Sequence, residues 1–143
     1  MSNEHSEICD AAAYASAACG CVVVLGLGLG LVVRMLLASS KVDRIAVVEI
    51  DTDVIQLVGD YFKNNKRVSI GQGDAFAQRT VKKYRRKYPQ TESVWADVWD
   101  SCQGDSYTQR LALTARWSMV SPTVVCWGME RSKIDYLHRF QQK

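Results

Sequence analysis

The sequence predicts an α/β fold, a Rossmann-like, mainly parallel sheet of about five strands with helices on both faces. Three observations lead there. Five short β-rich apolar runs recur with a period of about 25 residues, and segments of helical pattern fill the gaps between them. Strands that alternate with helices bury their apolar surface in a parallel sheet covered on both sides. The composition agrees: 143 residues suit one domain, and 48% hydrophobic with 23% charged residues supply a core and exclude a disordered chain. A net charge of +3 is too small to specify a nucleic-acid or membrane partner by itself.

The elements follow in order. An Ala-rich N-terminal helix is expected over about residues 5–19. The strands are "CVVVLG" (21–26), "RIAVVEID" (44–51), "RVSIGQGDA" (67–75), "SVWADVWD" (93–100) and "TVVCWGME" (123–130). Val22 to Leu25 and Ile45 to Val48 are continuously apolar, as central strands buried on both faces require. The helices are "LVVRMLLASS" (31–40), "TDVIQLVGDYFKNN" (52–65), "FAQRTVKKYRRKY" (76–88) and "DSYTQRLALTARWSMV" (105–120). A closing helix over 132–143 would turn Ile134, Leu137 and Phe140 inward. The whole, residues 1–143, reads as one nucleotide-binding domain with a glycine loop at 26–30 and an exposed sheet edge open to homo-oligomer formation.

A membrane span competes for the first part of this chain. No residue from Ala11 to Val33 is charged, about 20 apolar residues cross a bilayer, and Gly26 and Gly30 have the small-xxx-small spacing of packed transmembrane helices. That reading removes the first strand from an otherwise regular alternation, so the soluble fold with no membrane partner is preferred. A signal peptide is disfavoured because Glu4, Glu7 and Asp10 stand where a basic segment belongs. The five cysteines, Cys9, Cys19, Cys21, Cys102 and Cys126, lack C-x-x-C or zinc spacing. They read as free thiols of a cytoplasmic protein, and no metal is expected. His5 and His138 have no evident partner.

In open parallel sheets the ligand lies beyond the carboxyl ends of the strands, and the suggestive residues gather there. Gly26-Leu27-Gly28-Leu29-Gly30 follows the first strand, where missing side chains allow a tight turn and close backbone approach to a ligand. Glu49 follows Gly30 by 19 residues at the second strand end, the place from which a carboxylate accepts from ribose hydroxyls. Asp74 ends the third strand and Asp97 the fourth. Any one acid there would pass for a helix cap; the series of four does not.

"VLGLGLG", "VVEID", "GDAF" and "VWADVWD" together resemble the glycine loop and following motifs of class I S-adenosylmethionine-dependent methyltransferases, in a short form closest to the spermidine synthase-like branch. The resemblance covers about residues 21–100 and rests on the order and spacing of the four motifs. It implies that Gly26, Gly28 and Gly30 pass close to the methionine part of the cofactor. Glu49 would bind the ribose, Ile50 flank the adenine, Asp74 accept from the adenine amino group and Ala75 offer its backbone N–H to the ring. Asp97 and Asp100 match the two acids of the aminopropyl-transferase motif, the first of which helps deprotonate the amine nucleophile. The bland reading of this pair is that it caps the next helix. Leu29 departs from the pattern, standing where spermidine synthases tend to carry Asp. The N-terminal β-hairpin domain, the last strand pair of the full methyltransferase sheet and an Asn-Pro-Pro-aromatic motif have no counterpart in the sequence.

The expected function is thus a small transferase that moves a methyl or aminopropyl group, with S-adenosylmethionine, decarboxylated S-adenosylmethionine or methylthioadenosine as cofactor. The alternative is a non-catalytic binding module of the same fold. A nicotinamide-binding domain would use the glycines and Glu49 but leave Asp74 and Asp97 unexplained. "RTVKKYRRKY" (79–88) has six basic residues and no acid, with Tyr84 and Tyr88 on one helical face and Phe76 in line. Removing its six cations from the chain's 18 leaves 12 against 15 acids, so the remainder carries −3. It reads as a solvated helix face or as a patch for nucleic acid. Trp95 and Trp127 are expected in the core, Trp99 at the mouth of the site, and Tyr107 and Trp117 packing the helix after the fourth strand.

Overall fold

The apolar runs form five parallel strands in one sheet of order β3-β2-β1-β4-β5: β1 (Gly20–Leu25), β2 (Val42–Glu49), β3 (Val68–Gln72), β4 (Thr91–Ala96) and β5 (Val124–Cys126). The computed structural model describes residues 4–99 and 106–142. Among these residues six helices accompany the strands: α1 (Glu4–Ala17), α2 (Leu31–Leu37), α3 (Thr52–Gly59), α4 (Gln78–Lys87), α5 (Tyr107–Trp117) and α6 (Met129–Gln141). The chain winds outward through β2 to β3, then returns to lay β4 on the other side of β1. That reversal opens a crevice between the loops after β1 and β4.

Val22 to Leu25 of β1 and Ile45 to Val48 of β2 are apolar at every position because each face of the sheet has its own core. Val22 and Val24 of β1, Ile45 and Val47 of β2 and Trp95 of β4 join Tyr14, Val33, Leu36 and Phe62 on one side. Val23, Leu25, Ala46, Val48, Val94 and Ala96 join Val81, Tyr84, Leu113 and Trp117 on the other. Register fixes this division, with Val22 opposite Ile45 and Val24 opposite Val47 across β1 and β2, since a slip of one residue would exchange the faces. Ala11, Tyr14, Ala15 and Ala18 bury one stripe of the N-terminal segment. Tyr14 seals it, its ring 4.9 Å from that of Trp95 and its hydroxyl 2.7 Å from Ser93 Oγ. No helix among the described residues is long and apolar enough to cross a membrane; the uncharged run divides into α1, β1 and the start of α2.

The later elements correct the sequence reading. The β5 strand stops at Cys126 because Gly128, at φ 74°, turns the chain into α6, so "GME" belongs to a turn and a helix. The expected inward face of α6 is wrong: Ile134, Leu137 and Phe140 are 53%, 46% and 60% exposed. The helix instead buries Ser132 and half-buries Met129, Asp135 and Tyr136, with the Tyr136 ring 5.3 Å from Tyr107. A small residue lets α6 sit close at that point, and the apolar side chains fall on the far face. The helix expected over 52–65 ends at Gly59, where tight turns carry Phe62 into the core. Phe76 precedes α4 rather than lying in line with its tyrosines, because Asp74 Oδ1 accepts from Phe76 N and holds a turn ahead of the helix.

Candidate functional site

A cleft of about 1490 Å³ opens at the carboxyl ends of the strands, where the parallel topology directs every strand-to-helix loop. Backbone bonds knit its floor. Gly26 N donates to Val48 O at 2.8 Å, Gly73 N to Glu49 O at 3.0 Å, Asp97 N to Leu25 O at 2.9 Å and Trp127 N to Ala96 O at 2.9 Å. The ladder thus continues one residue past β1, β3, β4 and β5, and the side chains that follow are held at fixed heights.

In the glycine loop the three glycines have different surroundings. Gly26, at φ 93°, lies so close to the β4 end that a Cβ there would meet Asp97 O at 2.3 Å. Gly28, at φ 51°, faces open space with no atom within 4 Å of where a Cβ would be. Gly30 caps α2 against the Phe62 ring and does not line the cleft. Between them Leu27 anchors the loop in the core, 3% exposed, while Leu29 stands 70% exposed on the cleft wall.

Glu49 organises the site. Its Oε2 accepts from Leu27 N at 2.7 Å and its Oε1 from Asp51 N at 3.1 Å, so one carboxylate joins the glycine loop to the turn entering α3. Asp51 in turn caps α3, accepting from Asp53 N at 2.8 Å. Two backbone donors use half of a carboxylate's roughly four acceptor directions, which leaves the others for a ligand. Ile50, 61% exposed, stands beside it on the cleft wall. Asp74, Ala75 and Phe76 supply the next wall. Ala75 is held from behind by Trp117, whose Nε1 donates to Ala75 O at 2.8 Å from a fully buried indole.

Asp97, Val98 and Trp99 complete the crevice. Asp100 lies outside the described residues, so only the first acid of its motif is placed. Trp99 is half-buried at the cleft, edge-on to Phe76 at 6.0 Å, as the sequence reading expected of a residue at the mouth. Trp95 and Trp127 are core residues that also touch the cleft. Glu49, Ile50, Asp74, Ala75, Asp97, Gly26 and Gly28 all reach this one space.

The sequence reading missed three contributions. Arg110 of α5 is fully buried, donates from Nε to Trp127 O at 2.9 Å, bonds Ser106 Oγ and lies 4.4 Å from the Trp99 ring centroid. Its signal was present, since Ser106, Arg110, Leu113 and Trp117 share one helical stripe and a charge on an apolar stripe needs specific partners. Glu7 and Ile8 of α1, and the Asp135–Arg139 pair of α6 (3.0 Å), rim the cleft from the two ends of the chain. Among the described residues six carboxylates line it (Glu7, Glu49, Asp51, Asp74, Asp97, Asp135) against two arginines (Arg34, Arg139), an imbalance that favours a cationic guest. Cys9, Cys19, Cys21 and Cys126 are free thiols, those of Cys21 and Cys126 pushed up in pKa by burial; Cys102 lies outside the described residues.

No family model and no curated protein matches this sequence. Solved structures do match the fold. A spermidine synthase in complex with the transition-state analogue AdoDATO superposes with a TM-score of 0.55 at 15% identity, over 82% of this chain and 39% of that one. Spermidine synthase from Thermotoga maritima gives 0.54 at 14%, with the same coverage. A putative S-adenosyl-L-methionine-dependent methyltransferase from Methanococcus maripaludis gives 0.53 at 11%, over 96% of this chain and 63% of that one. The chain therefore spans well under half the length of the two synthases. These likenesses, with the five-stranded parallel sheet, show that the chain has a class I S-adenosylmethionine-dependent methyltransferase-like fold.

Proposed function

We propose that residues 1–143 act as one nucleotide-binding domain that holds an adenosyl sulfonium or thioether in the cleft and serves as a small transferase of methyl or aminopropyl groups. The observation that carries this reading is Glu49, fixed by Leu27 N and Asp51 N at the end of β2 with acceptor capacity to spare. The surroundings fit the nucleoside. Gly28 leaves a cradle that a Cβ would begin to fill, Ile50 presents an apolar face for adenine, and the Asp74–Ala75 turn offers a carboxylate and a backbone N–H. The excess of lining carboxylates suits a positive sulfonium.

When bound, S-adenosylmethionine or its decarboxylated form supplies a carbon made electrophilic by attachment to positive sulfur. The protein's part is to orient and to handle the proton. Asp97, held by its backbone to Leu25 O, places a carboxylate at the crevice where it takes a proton from an acceptor amine. Trp99 and Phe76 wall that side and reduce access of water.

Calorimetric titration with S-adenosylmethionine, decarboxylated S-adenosylmethionine, methylthioadenosine and NAD tests the cofactor. A sulfur nucleoside binds, NAD does not, and Glu49→Ala weakens binding at least about tenfold, or about 1.4 kcal/mol. Failure of all three sulfur nucleosides overturns the reading. A second reading, a binding module without transfer, is favoured by Leu29, an exposed apolar residue on the cleft wall where the resembling synthases tend to carry Asp. Nucleoside binding without Asp97-dependent product from a pool of polyamines, nucleic acids and proteins would establish that reading instead.

A further inference from the structure

We propose that the outer face of α4 is a docking surface for the phosphodiester backbone of nucleic acid. Its inner face is already used: Val81, Tyr84 and Tyr88 are buried against the sheet, and Tyr84 Oη donates to Val47 O at 3.1 Å. The outer face carries Arg79, Lys82, Lys83 and Arg86 at spacings of three and four, a single stripe on a helix, with Arg85 and Lys87 beside it. All six are exposed. The stripe is about 10 Å long at 1.5 Å per residue, close to three nucleotide rises of 3.4 Å.

Among the described residues no carboxylate lies within ion-pair distance of any of the six. Each neighbouring pair along the stripe is cation against cation, which weakens a helix. The fold enlarges the patch beyond the run seen in the sequence. Arg116 of α5 donates to Phe76 O just ahead of the helix, and Arg44 of β2 approaches the Tyr88 ring just beyond it, at 6.0 Å. These two side chains place a further cation near each end of α4, while the carboxylates of the cleft disfavour phosphates there.

A lipid surface fits less well. Helices that enter membranes sink an apolar face into the lipid, and the apolar face of α4 is in the core. Nucleic acid needs only cations in a row, because contact with phosphates releases counterions. This inference is independent of what binds in the cleft.

Fluorescence anisotropy of a labelled oligothymidylate, titrated with the whole chain over a salt series, tests it. The oligonucleotide binds with an affinity that falls steeply with salt. The double variant Lys82→Gln/Arg86→Gln lowers affinity about tenfold at low salt and makes the log–log salt slope shallower by about 1.4, at about 0.7 per lost phosphate contact. Arg131→Gln/Lys133→Gln, which removes the same charge from exposed sites on α6, leaves the slope unchanged. No binding, an unchanged slope in the α4 variant, or an equal change in the α6 control overturns the proposal. So does tighter, α4-dependent binding to phosphatidylserine vesicles than to the oligonucleotide.

Discussion

Gly26 and Gly28 sit two residues apart in one loop, and the structure separates their reasons for being glycine. Gly26→Ala meets two costs. A side chain at φ 93° is strained by about 1–2 kcal/mol. Its Cβ would also stop 2.3 Å from Asp97 O and 3.1 Å from Asp97 C, where 3.4 Å is ordinary contact. Relief requires β1 and β4 to part by more than 1 Å at a point held by Asp97 N to Leu25 O and Gly26 N to Val48 O. Losing one such buried bond adds about 1–3 kcal/mol, for a total of about 2–5 kcal/mol. Gly28→Ala, at φ 51° with nothing within 4 Å, carries only the conformational cost of about 1–2 kcal/mol. Urea unfolding followed by circular dichroism reads the contrast. With a slope of about 2 kcal/mol per molar urea, the Gly26 variant should melt about 1 M earlier than the Gly28 variant. Nucleoside affinity should reverse the order of interest, because only the Gly28 methyl projects into the cleft of a well-folded protein. Coincident urea midpoints would refute the reasoning that close strand approach dictates Gly26.

Two further outcomes follow from the core. Trp117→Phe leaves Ala75 O without its donor and opens a void beneath the third strand end. It should cost about 3 kcal/mol in urea unfolding and also weaken nucleoside binding, which a purely remote core residue would not do. Alkaline unfolding should be governed by Tyr14 and Tyr84, whose phenols burial pushes up to about 12. Each is neutral when protonated and has a folded pKa above the unfolded value of about 10. The stability they contribute is therefore complete below pH 10 and lost as pH rises through 12. Tyr14→Phe/Tyr84→Phe should start less stable at neutral pH but show a shallower decline across that window in thermal melts, and an unchanged decline would show that other groups control it.

What the sequence made legible was what periodicity and local chemistry control. The uninterrupted apolar runs of β1 and β2 announced strands buried on both faces, and Glu49 ends β2 where its spacing from the glycine loop implied, whereas Asp74, expected at the end of the third strand, falls two residues beyond β3 in a turn. Orientation of α6 was illegible, because Ile134, Leu137 and Phe140 make a plausible inward stripe until the helix is seen to sit down on Ser132. Burial there depends on what lies opposite, which only the tertiary fold supplies. The cleft rim was illegible for a related reason: Glu7, Asp135 and Arg139 come from the first and last helices, and no local pattern brings them to the strand ends. Arg110 lay between these cases, on an apolar stripe that revealed its burial but not its two aromatic neighbours.

The segment from Gly20 to Leu36 shows why a locally ambiguous stretch becomes unambiguous in context. As a helix its leucines would be equivalent, all facing lipid or a neighbouring span. In the fold Leu27 and Leu29 have opposite surroundings, one 3% and the other 70% exposed, because the positive-φ residues Gly26, Gly28 and Gly30 redirect the chain before, between and after them. Burial of Leu27 pins the loop, and its N–H is thereby presented to Glu49 across 2.7 Å. Glycine gives the turn its path, Leu27 its anchor and Glu49 its link to the second strand. Leu29 takes part in none of this and faces the cleft, so its identity is free to be set by what binds there.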